Sequence, residues 1–250
     1  MPFGRFPDLA RRSVVVTGGA TGIGAGLVRA LHAAGCQVAF LDKQVEPGAA
    51  LAGSLGLGAL FLPCDLLDLA AMRGALDRAA EAHGPVSVLV NNAAVDQRHS
   101  FDGIDADTFD WMMHVNLRHV VFACQHVLPA MRERRAGSII NVSSGAWVRG
   151  LAELELYSAA KAAIVGFGNS LARDAGRFGI RVNAVSPGAV FTARQRQLWI
   201  TPEAEAQILG NQCLPEPMEP EDLAELVLFL ASDASRRITK QFIAVNGGAL

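Results

Sequence analysis

The amino-acid sequence predicts an α/β fold, a parallel and doubly wound sheet with helices on both faces. Short runs rich in β-branched residues alternate with helical segments throughout the chain. The first run, Ser13–Thr17, shows no polar alternation, as in strands that are buried on both faces. Right-handed crossovers then place helices on either side of the sheet. The chain has 250 residues, of which 51% are hydrophobic, and contains no linker or repeat. We therefore expect a single domain over 1–250.

The first half of the chain contains four predicted strands. A helix with apolar spacing follows the first strand and ends at Gly35, a residue type common after helix ends. Asp42 closes the second strand, and the helix before the fourth strand stops at Gly84-Pro85. In order, the predicted elements are strand 13–17, helix 23–34, strand 37–41, strand 59–62, helix 69–83 and strand 86–90.

The second half adds three strands and a long insert. A mostly helical stretch covers 105–135, and Pro129 is expected to kink it near its end. A polar, proline-punctuated insert at about 191–220 is too long for a tight connection, so we expect it to be a substrate lid. The remaining predicted elements are strand 138–142, a helix through Tyr157 to Phe178, strand 181–185, helix 221–231 and strand 242–245.

The turn after the first strand has the composition of a phosphate-binding loop. It runs from Thr17 to Gly24 as Thr-Gly-Gly-Ala-Thr-Gly-Ile-Gly. Glycines permit positive φ and close approach of the backbone to a ligand. The free amides and the positive dipole end of the following helix attract a pyrophosphate. A glycine loop between a strand and a helix therefore predicts dinucleotide binding on a Rossmann-type sheet.

Two carboxylates follow neighbouring strands and bear on the cofactor. Asp42 can accept hydrogen bonds from both hydroxyls of an adenosine ribose and would repel a 2′-phosphate, which favours NAD over NADP. The adjacent Lys43 is expected to soften that discrimination. For Asp65 the sequence leaves two interpretations open. This residue contributes to recognition of the adenine, or it caps a helix that begins near Leu66.

A tyrosine and a lysine stand four residues apart after the fifth strand. On a helix, Tyr157 and Lys161 share one face, and Ser144 at the preceding strand end can lie beside the phenol. A phenol has a reference pKa of about 10, and a neighbouring cation lowers the pKa because it favours the phenolate. Tyr157 is the only tyrosine of the chain, so this chemistry has no other phenol to use.

Composition argues against several other classes of protein. The net charge of −2 gives no reason to expect nucleic acid or an anionic membrane as a partner. The four cysteines are far apart and the histidines lack metal-ligand spacing, so we expect no metal site. The N-terminus has no apolar signal-peptide region, and no apolar run is long enough to span a membrane. We therefore expect a cytoplasmic protein.

With these motifs in this order, the chain resembles the short-chain dehydrogenase/reductase family. The resemblance implies a seven-stranded sheet, a hydride-transferring oxidoreductase and a homotetramer. Two departures are Ala94, where the family usually has glycine, and Asn246, where it usually has aspartate. The matching motifs are Thr17-Gly18-x-x-x-Gly22-Ile23-Gly24, Asn91-Asn92-Ala93, Asn116, Ser144, Tyr157-x-x-x-Lys161 and Pro187-Gly188.

The same resemblance implies roles for individual residues. Tyr157 would be the acid/base, and Ser144 would hold the substrate oxygen. Lys161 would bind the nicotinamide ribose and lower the pKa of the tyrosine, and Asn116 would hold a water that relays the proton. The implied contacts with the cofactor are Gly18, Thr21, Gly22, Ile23, Gly24, Asp42, Asp65, Leu66, Asn92, Ala93, Tyr157, Lys161, Pro187, Gly188, Val190 and Thr192.

Within the family, the chain looks like the bacterial aldose 1-dehydrogenases that act on D-xylose and L-arabinose. This likeness implies oxidation of the anomeric hydroxyl of a cyclic sugar to an aldonolactone with NAD. Carboxylate, guanidinium and amide groups pair with vicinal hydroxyls, and an indole covers apolar C–H groups. The implied substrate contacts are Asp96, Arg98, Ser144, Trp147, Tyr157 and Gln195. The alternatives are a family reductase acting on 3-oxoacyl thioesters, hydroxysteroids or other secondary alcohols, and a non-catalytic, cofactor-sensing protein.

Overall fold

The computed structural model describes residues 6–249, and these form a seven-stranded sheet in which each strand runs parallel to its neighbours. The strands are β1 (Ser13–Thr17), β2 (Gln37–Asp42), β3 (Ala59–Pro63), β4 (Val88–Asn91), β5 (Gly137–Val142), β6 (Ile180–Pro187) and β7 (Phe242–Val245). Their order in the sheet is β3-β2-β1-β4-β5-β6-β7. The predicted doubly wound α/β fold is therefore confirmed.

Helices cover both faces of this sheet. They are α1 (Gly22–Ala33), α2 (Val45–Leu55), α3 (Leu69–His83), α4 (Ala106–Met113), α5 (His119–Arg134), α6 (Ala146–Arg149), α7 (Glu155–Ala175), α8 (Ala193–Leu198), α9 (Pro202–Gly210) and α10 (Pro220–Ala231). Within residues 6–249, no helix combines the length and the apolar character that crossing a membrane requires.

Alternate side chains of each strand enter two separate cores. Along β1, Val14 and Val16 face the core formed with α1, α2 and α10, whereas Val15 faces the core formed with α3, α5 and α7. All three valines are fully buried. Burial of apolar side chains therefore stabilises the sheet from both sides, which explains the continuous β-branched run in the sequence.

The strand order reverses between β1 and β4, and this opens a crevice at the carboxyl ends of the strands. The hydroxyl oxygen of Thr17 accepts hydrogen bonds from the backbone amides of Asn92 (3.0 Å) and Ala93 (3.2 Å). The Asn92 side chain donates in turn to the carbonyl oxygens of Thr17 (3.1 Å) and Gly18 (2.9 Å). The glycine loop and the segment after β4 are therefore tied together at the crevice.

Helix α2 is an element that the sequence pattern does not indicate. Its residues include Pro47, Gly48 and Gly53, which have low helix propensity. Only Gly48 and Leu51 of this helix are buried. Gly48 packs directly against the Phe61 ring, which a Cβ at this position would overlap. Tertiary packing rather than local propensity therefore accounts for α2.

The long helical stretch is interrupted at a different place from the one expected. The expected kink at Pro129 gives way to a π-helical turn, His114–Arg118, between α4 and α5, and α5 continues through Pro129. A proline removes one backbone hydrogen bond from a helix. Burial of the neighbouring Leu128 and Met131 against the core offsets that loss.

Candidate active site

A cavity of about 900 Å³ occupies the crevice at the carboxyl ends of the strands. Its volume is typical of small-molecule and cofactor sites. Every cofactor contact predicted from the sequence lines this cavity. The substrate contacts Asp96, Arg98 and Gln195 line it as well, but Asn116 and Trp147 do not.

The glycine loop forms one end of the cavity. Gly18 and Gly22 have φ angles of 66° and 54°, in the left-handed region that favours glycine. A Cβ on Gly24 would overlap the carbonyl oxygen of Gly18, so this tight turn requires glycine there. Helix α1 begins at Gly22, and no side chain caps its N-terminus. Its first amides are therefore available to an anionic group.

Asp42, at the end of β2, is held by the backbone. Its buried carboxylate accepts hydrogen bonds from the amides of Ala20 and Gln44, both at 3.0 Å. A carboxylate has about four acceptor positions. The remaining positions fit the two hydroxyls of an adenosine ribose, and the negative charge disfavours a phosphate at the same place.

Asp65 follows β3 and lines the same end of the cavity. The interpretation of Asp65 as a helix cap is wrong, because Asp68 is the N-cap of α3 and accepts from the amides of Ala70 and Ala71. Asp65 instead accepts a hydrogen bond from the amide of Leu67 at 2.9 Å. Contact with an adenine remains the prediction for this residue.

Tyr157 and Lys161 lie one helical turn apart on α7. The Lys161 ammonium nitrogen is 5.7 Å from the centroid of the Tyr157 ring. Lys161 is only 1% exposed, and its Nζ donates to the carbonyl oxygen of Val142 at 2.7 Å. The Ser143 hydroxyl donates to the Lys161 carbonyl oxygen at 2.8 Å, which fixes the helix against the end of β5. The Ser144 side chain lies beside the Tyr157 phenol and favours its ionised form.

Burial dominates the ionisation of this pair. Loss of hydration raises the pKa of Tyr157 to about 12, although the neighbouring Ser144 side chain opposes the shift. Burial lowers the pKa of Lys161 to about 7, and the negative charge of Asp96 opposes this change. In the protein alone the pKa of Tyr157 is therefore raised, because desolvation outweighs the Ser144 side chain and the charge of Arg194. That Lys161 lowers the pKa of the tyrosine stays a prediction. Base chemistry at neutral pH needs further positive charge beside the phenol.

Asn116 lies in the π turn, is fully buried and does not line the cavity. Its Oδ1 accepts from the amide of Val95 at 2.9 Å. Its Nδ2 donates to the carbonyl oxygens of Val95 and Met112, both at 3.1 Å. The Asn116 side chain therefore holds the segment that carries Asp96, and its role in binding a water stays a prediction.

Asp96 faces the insert across the cavity. Its carboxylate accepts hydrogen bonds from Arg194 Nη1 at 2.5 Å and from Gln195 Nε2 at 2.8 Å. Burial raises the pKa of Asp96, but these two hydrogen bonds and the charge of Arg194 outweigh it and hold the pKa below its usual value. The Arg98 guanidinium stacks over the Trp199 ring at 4.9 Å. Side chains of the insert therefore join it to the segment after β4.

The indole of Trp147 lies elsewhere, so the prediction that Trp147 covers the sugar is wrong. Its ring packs against Phe242 of β7 with centroids 5.4 Å apart, and its Nε1 donates to the Ser143 hydroxyl at 3.4 Å. The other two tryptophans, Trp111 and Trp199, line the cavity. Helical spacing could have identified Trp111, because Val115, four residues later, lines the same wall.

The fold and the site together define a nicotinamide-dependent oxidoreductase. The open helix N-terminus fits a pyrophosphate, the Asp42 carboxylate fits a ribose, and the buried Lys161 and the half-buried Tyr157 face the same cavity. The chain belongs to the short-chain dehydrogenase/reductase family. A family model described as enoyl-(acyl carrier protein) reductase matches residues 18–249.

Individual relatives are similar to this chain over nearly its whole length. A probable galactose dehydrogenase of Rhizobium meliloti is 44% identical and covers 99% of this chain and 98% of its own. The D-xylose 1-dehydrogenase of Caulobacter vibrioides is 43% identical, with 97% of both chains covered. Among solved structures, a 3-oxoacyl-[acyl-carrier protein] reductase from Brucella melitensis superposes with a TM-score of 0.91, at 29% identity and with 98% and 94% of the two chains covered.

Proposed function

We propose that this protein oxidises the anomeric C1 hydroxyl of a cyclic aldose to the aldonolactone, with NAD as the preferred cofactor. A pentose such as L-arabinose or D-xylose is the expected substrate. The similarity to a D-xylose 1-dehydrogenase and to a probable galactose dehydrogenase supports the sugar class. The intact set of Ser144, Tyr157 and Lys161 at the cavity supports a catalytic protein rather than a cofactor-sensing one.

The observation that carries the proposal is the position of Asp96. This carboxylate lines the cavity and its charge acts on both Tyr157 and Lys161. An ionised carboxylate, an arginine and a glutamine amide form a cluster that suits vicinal hydroxyls, because each group pairs directionally with an O–H. A fatty acyl chain or a steroid offers this cluster no hydroxyls. The three groups would then keep only the bonds they make to one another, and each polar atom left unpaired would cost about 1–3 kcal/mol.

The residues of the site divide the chemistry between them. The oxidised nicotinamide cofactor, when bound, supplies the hydride acceptor and a positive charge beside the phenol. Tyr157 takes the proton of the C1 hydroxyl, and Ser144 hydrogen-bonds the substrate oxygen from which it leaves. Lys161 holds the nicotinamide ribose and keeps a cation next to the phenolate. Gln195 and Asp96 orient the ring so that C1 faces the cofactor, which lowers the entropic part of the barrier.

The preference for NAD rests on Asp42. Its charge is held at the end of β2 by two backbone amides, so it cannot withdraw easily from a 2′-phosphate. Lys43 beside it also lines the cavity and offers a partial compensation. We propose NAD preference with measurable residual activity on NADP.

The insert at 191–220 is proposed to act as the lid of this site. It contains α8 and α9, and its Arg194 and Trp199 contact the segment after β4. Both side chains are exposed, so they can change rotamer when a substrate enters or leaves the cavity. The family resemblance also leads us to propose a homotetramer, and light scattering that gives the mass of one chain would contradict it.

A panel of aldoses tests the function directly. The purified protein is assayed by NADH absorbance with L-arabinose, D-xylose, D-galactose and D-glucose, each with NAD and with NADP. A thioester reductase assay with acetoacetyl-CoA runs in parallel, because an acetoacetyl-CoA reductase of Synechocystis is 34% identical to this chain. We expect aldose oxidation with NAD. Turnover of the thioester and of no aldose would refute the proposal.

A further inference from the structure

Arg98 lies between two segments that are distant from it in the sequence. Its guanidinium carbon is 4.9 Å from the centroid of the Trp199 ring, which belongs to the insert. Its Nη1 is 3.6 Å from a carboxylate oxygen of Glu153, which precedes α7. The family resemblance implies that Arg98 contacts the sugar, but in the structure its guanidinium has these two protein partners. Arg98 therefore connects the insert, the segment after β4 and the segment before α7.

The segment before α7 is fixed to the segment after β4 by contacts of its own. The carbonyl oxygen of Glu153 accepts a hydrogen bond from the amide of His99 at 3.0 Å. A carboxylate oxygen of Glu155 is 3.4 Å from His99 Nε2. Glu153 has a φ of 62°, a left-handed conformation that persists in a non-glycine residue only where neighbouring contacts hold it. The Glu153 carboxylate is therefore presented to Arg98 from a fixed backbone.

The middle of the insert has little packing of its own. The two ends of the insert are anchored, because Phe191 and Met218 are buried. Between them, α8 and α9 contain no buried residue. Burial of apolar side chains therefore contributes little to holding these two helices over the cavity.

Two contacts join the middle of the insert to the segment after β4. We call the hydrogen bonds of Asp96 with Arg194 and Gln195 the inner contact, and the stacking of Arg98 on Trp199 the outer contact. Sugar hydroxyls can replace the inner contact, because it consists of hydrogen bonds. They compete poorly for the outer contact, because its attraction comes from the π-electrons of the indole. A sugar that replaces the inner contact therefore leaves the outer one in place.

We propose that Arg98 is a positioning residue, oriented by Glu153, that holds the insert over the cavity through Trp199 while the sugar replaces the inner contact. This inference rests on the proposed function, in which the insert is the lid of a sugar site. The ion pair with Glu153 is weak by itself, because both side chains are partly exposed and solvent screens their charges. It orients the planar guanidinium beneath the indole, a role that a flexible ammonium group fills poorly.

Hydrogen exchange measures the outer contact without any activity. Arg98→Met keeps an unbranched, flexible side chain and removes the charged group. In the protein without sugar or cofactor, amides in 193–210 should exchange about fivefold faster than in the unchanged chain, as followed by mass spectrometry. Arg73→Met is the matched control, because Arg73 lies over the Phe122 ring at 5.6 Å and does not line the cavity. It should leave exchange in 193–210 unchanged. Unchanged exchange in Arg98→Met would overturn the proposal.

Steady-state kinetics separate this role from a direct contact with the sugar. The sugar KM of Arg98→Met should rise about fivefold, in parallel with the faster exchange. The value of kcat should stay within about twofold, because Ser144, Tyr157 and Lys161 are retained. A higher sugar KM without faster exchange in 193–210 would identify Arg98 as a direct contact with the sugar and overturn the proposal.

A double-mutant cycle tests whether Arg98 acts through Trp199. Trp199→Leu should accelerate exchange in 193–210 as Arg98→Met does, and the double variant should exchange no faster than either single variant. Additive accelerations would overturn the proposal. Glu153→Gln should accelerate exchange about twofold, and an unchanged rate would remove Glu153 from it. A protein that oxidises no aldose in the panel would refute the proposed function, whereas the exchange rates test the outer contact independently of that result.

Discussion

Two carboxylates at different parts of the cavity are held in opposite ways. Asp42, in the half of the cavity proposed to hold the cofactor, accepts hydrogen bonds from the backbone amides of Ala20 and Gln44 and is 8% exposed. Asp96, in the half proposed to hold the substrate, accepts from the side chains of Arg194 and Gln195 instead. Its side chain is 27% exposed, and that of Arg194 is 54% exposed.

The difference separates a preformed half of the site from an adjustable one. Backbone amides are fixed by the sheet and the glycine loop, so they hold Asp42 before any ligand arrives. Arginine and glutamine side chains must lose rotamer freedom to hold Asp96, and solvent weakens the ion pair. The cofactor half is therefore suited to one constant ligand. In the substrate half, Asp96, Arg194 and Gln195 can exchange the hydrogen bonds among themselves for bonds to a polar substrate.

The largest effect is expected at Tyr157, where the two halves meet. Tyr157→Phe removes only the phenolic oxygen, and kcat should fall at least about a thousandfold, since the acid/base is lost. NADH affinity, measured by fluorescence titration, should stay nearly unchanged because the cofactor half is intact. Tyr157 is the only tyrosine of the chain, so this substitution removes all of its phenol chemistry. Turnover comparable with that of the unchanged chain would remove Tyr157 from the mechanism.

The next effect concerns the free energy of unfolding and its dependence on pH, through His119, the fully buried first residue of α5. The folded-state pKa of His119 is lowered from 6.5 to about 4. Between these values the unfolded chain binds a proton at this residue and the folded chain does not, so stability falls as pH falls. The loss amounts to about 3 kcal/mol across the window.

The measurement is urea unfolding of the unchanged protein and of His119→Phe at pH about 7.5 and about 4.5. His119→Phe lacks this titration, so its free energy of unfolding should decrease less on acidification than that of the unchanged chain. Contributions from all other groups are common to both proteins. Parallel pH profiles would show that burial of His119 does not exclude the proton.

The division between groups held by the backbone and groups held by side chains also explains which parts of the fold and site could be predicted from the sequence. The sheet, the glycine loop, Asp42, Tyr157 and Lys161 depend on backbone geometry and on short spacings, which a sequence displays directly. The doubly wound parallel sheet and the family assignment are confirmed for this reason.

The rest depends on contacts between distant segments. The pairing of Asp96 with Arg194 joins parts of the chain that share no local pattern. The family resemblance and the apolar face of an indole imply that Trp147 covers the sugar, but packing against Phe242 of β7 turns its ring away. The burial that raises the pKa of Tyr157 is a property of the assembled core, so a neighbouring lysine in the sequence could not reveal it.

A smaller effect is expected in the adjustable half at Asp96. Asp96→Asn keeps the shape and removes the charge, and the sugar KM should rise about tenfold to a hundredfold because a charge-assisted hydrogen bond contributes about 1.5–3 kcal/mol. The KM for NAD should change little. Asp102→Asn is the matched control, because Asp102 is an exposed carboxylate that does not line the cavity. Equal increases of KM for sugar and NAD would show that Asp96 supports the whole site and not the substrate half.

The smallest effect separates the two carboxylates most directly. Asp42→Asn removes the negative charge and keeps one oxygen that can accept from a backbone amide, whereas the second of the two amide hydrogen bonds is lost. The ratio of kcat/KM for NADP to that for NAD should rise about tenfold, equivalent to about 1.4 kcal/mol of relieved repulsion. The ratio is controlled internally, because both cofactors are measured on the same protein with the same sugar.

Because Asp42 lies at the cofactor half, the sugar KM should not follow this change. A rise in sugar KM with an unchanged cofactor ratio would mean that the two halves are coupled, and that Asp42 acts through the loop it anchors rather than through its charge.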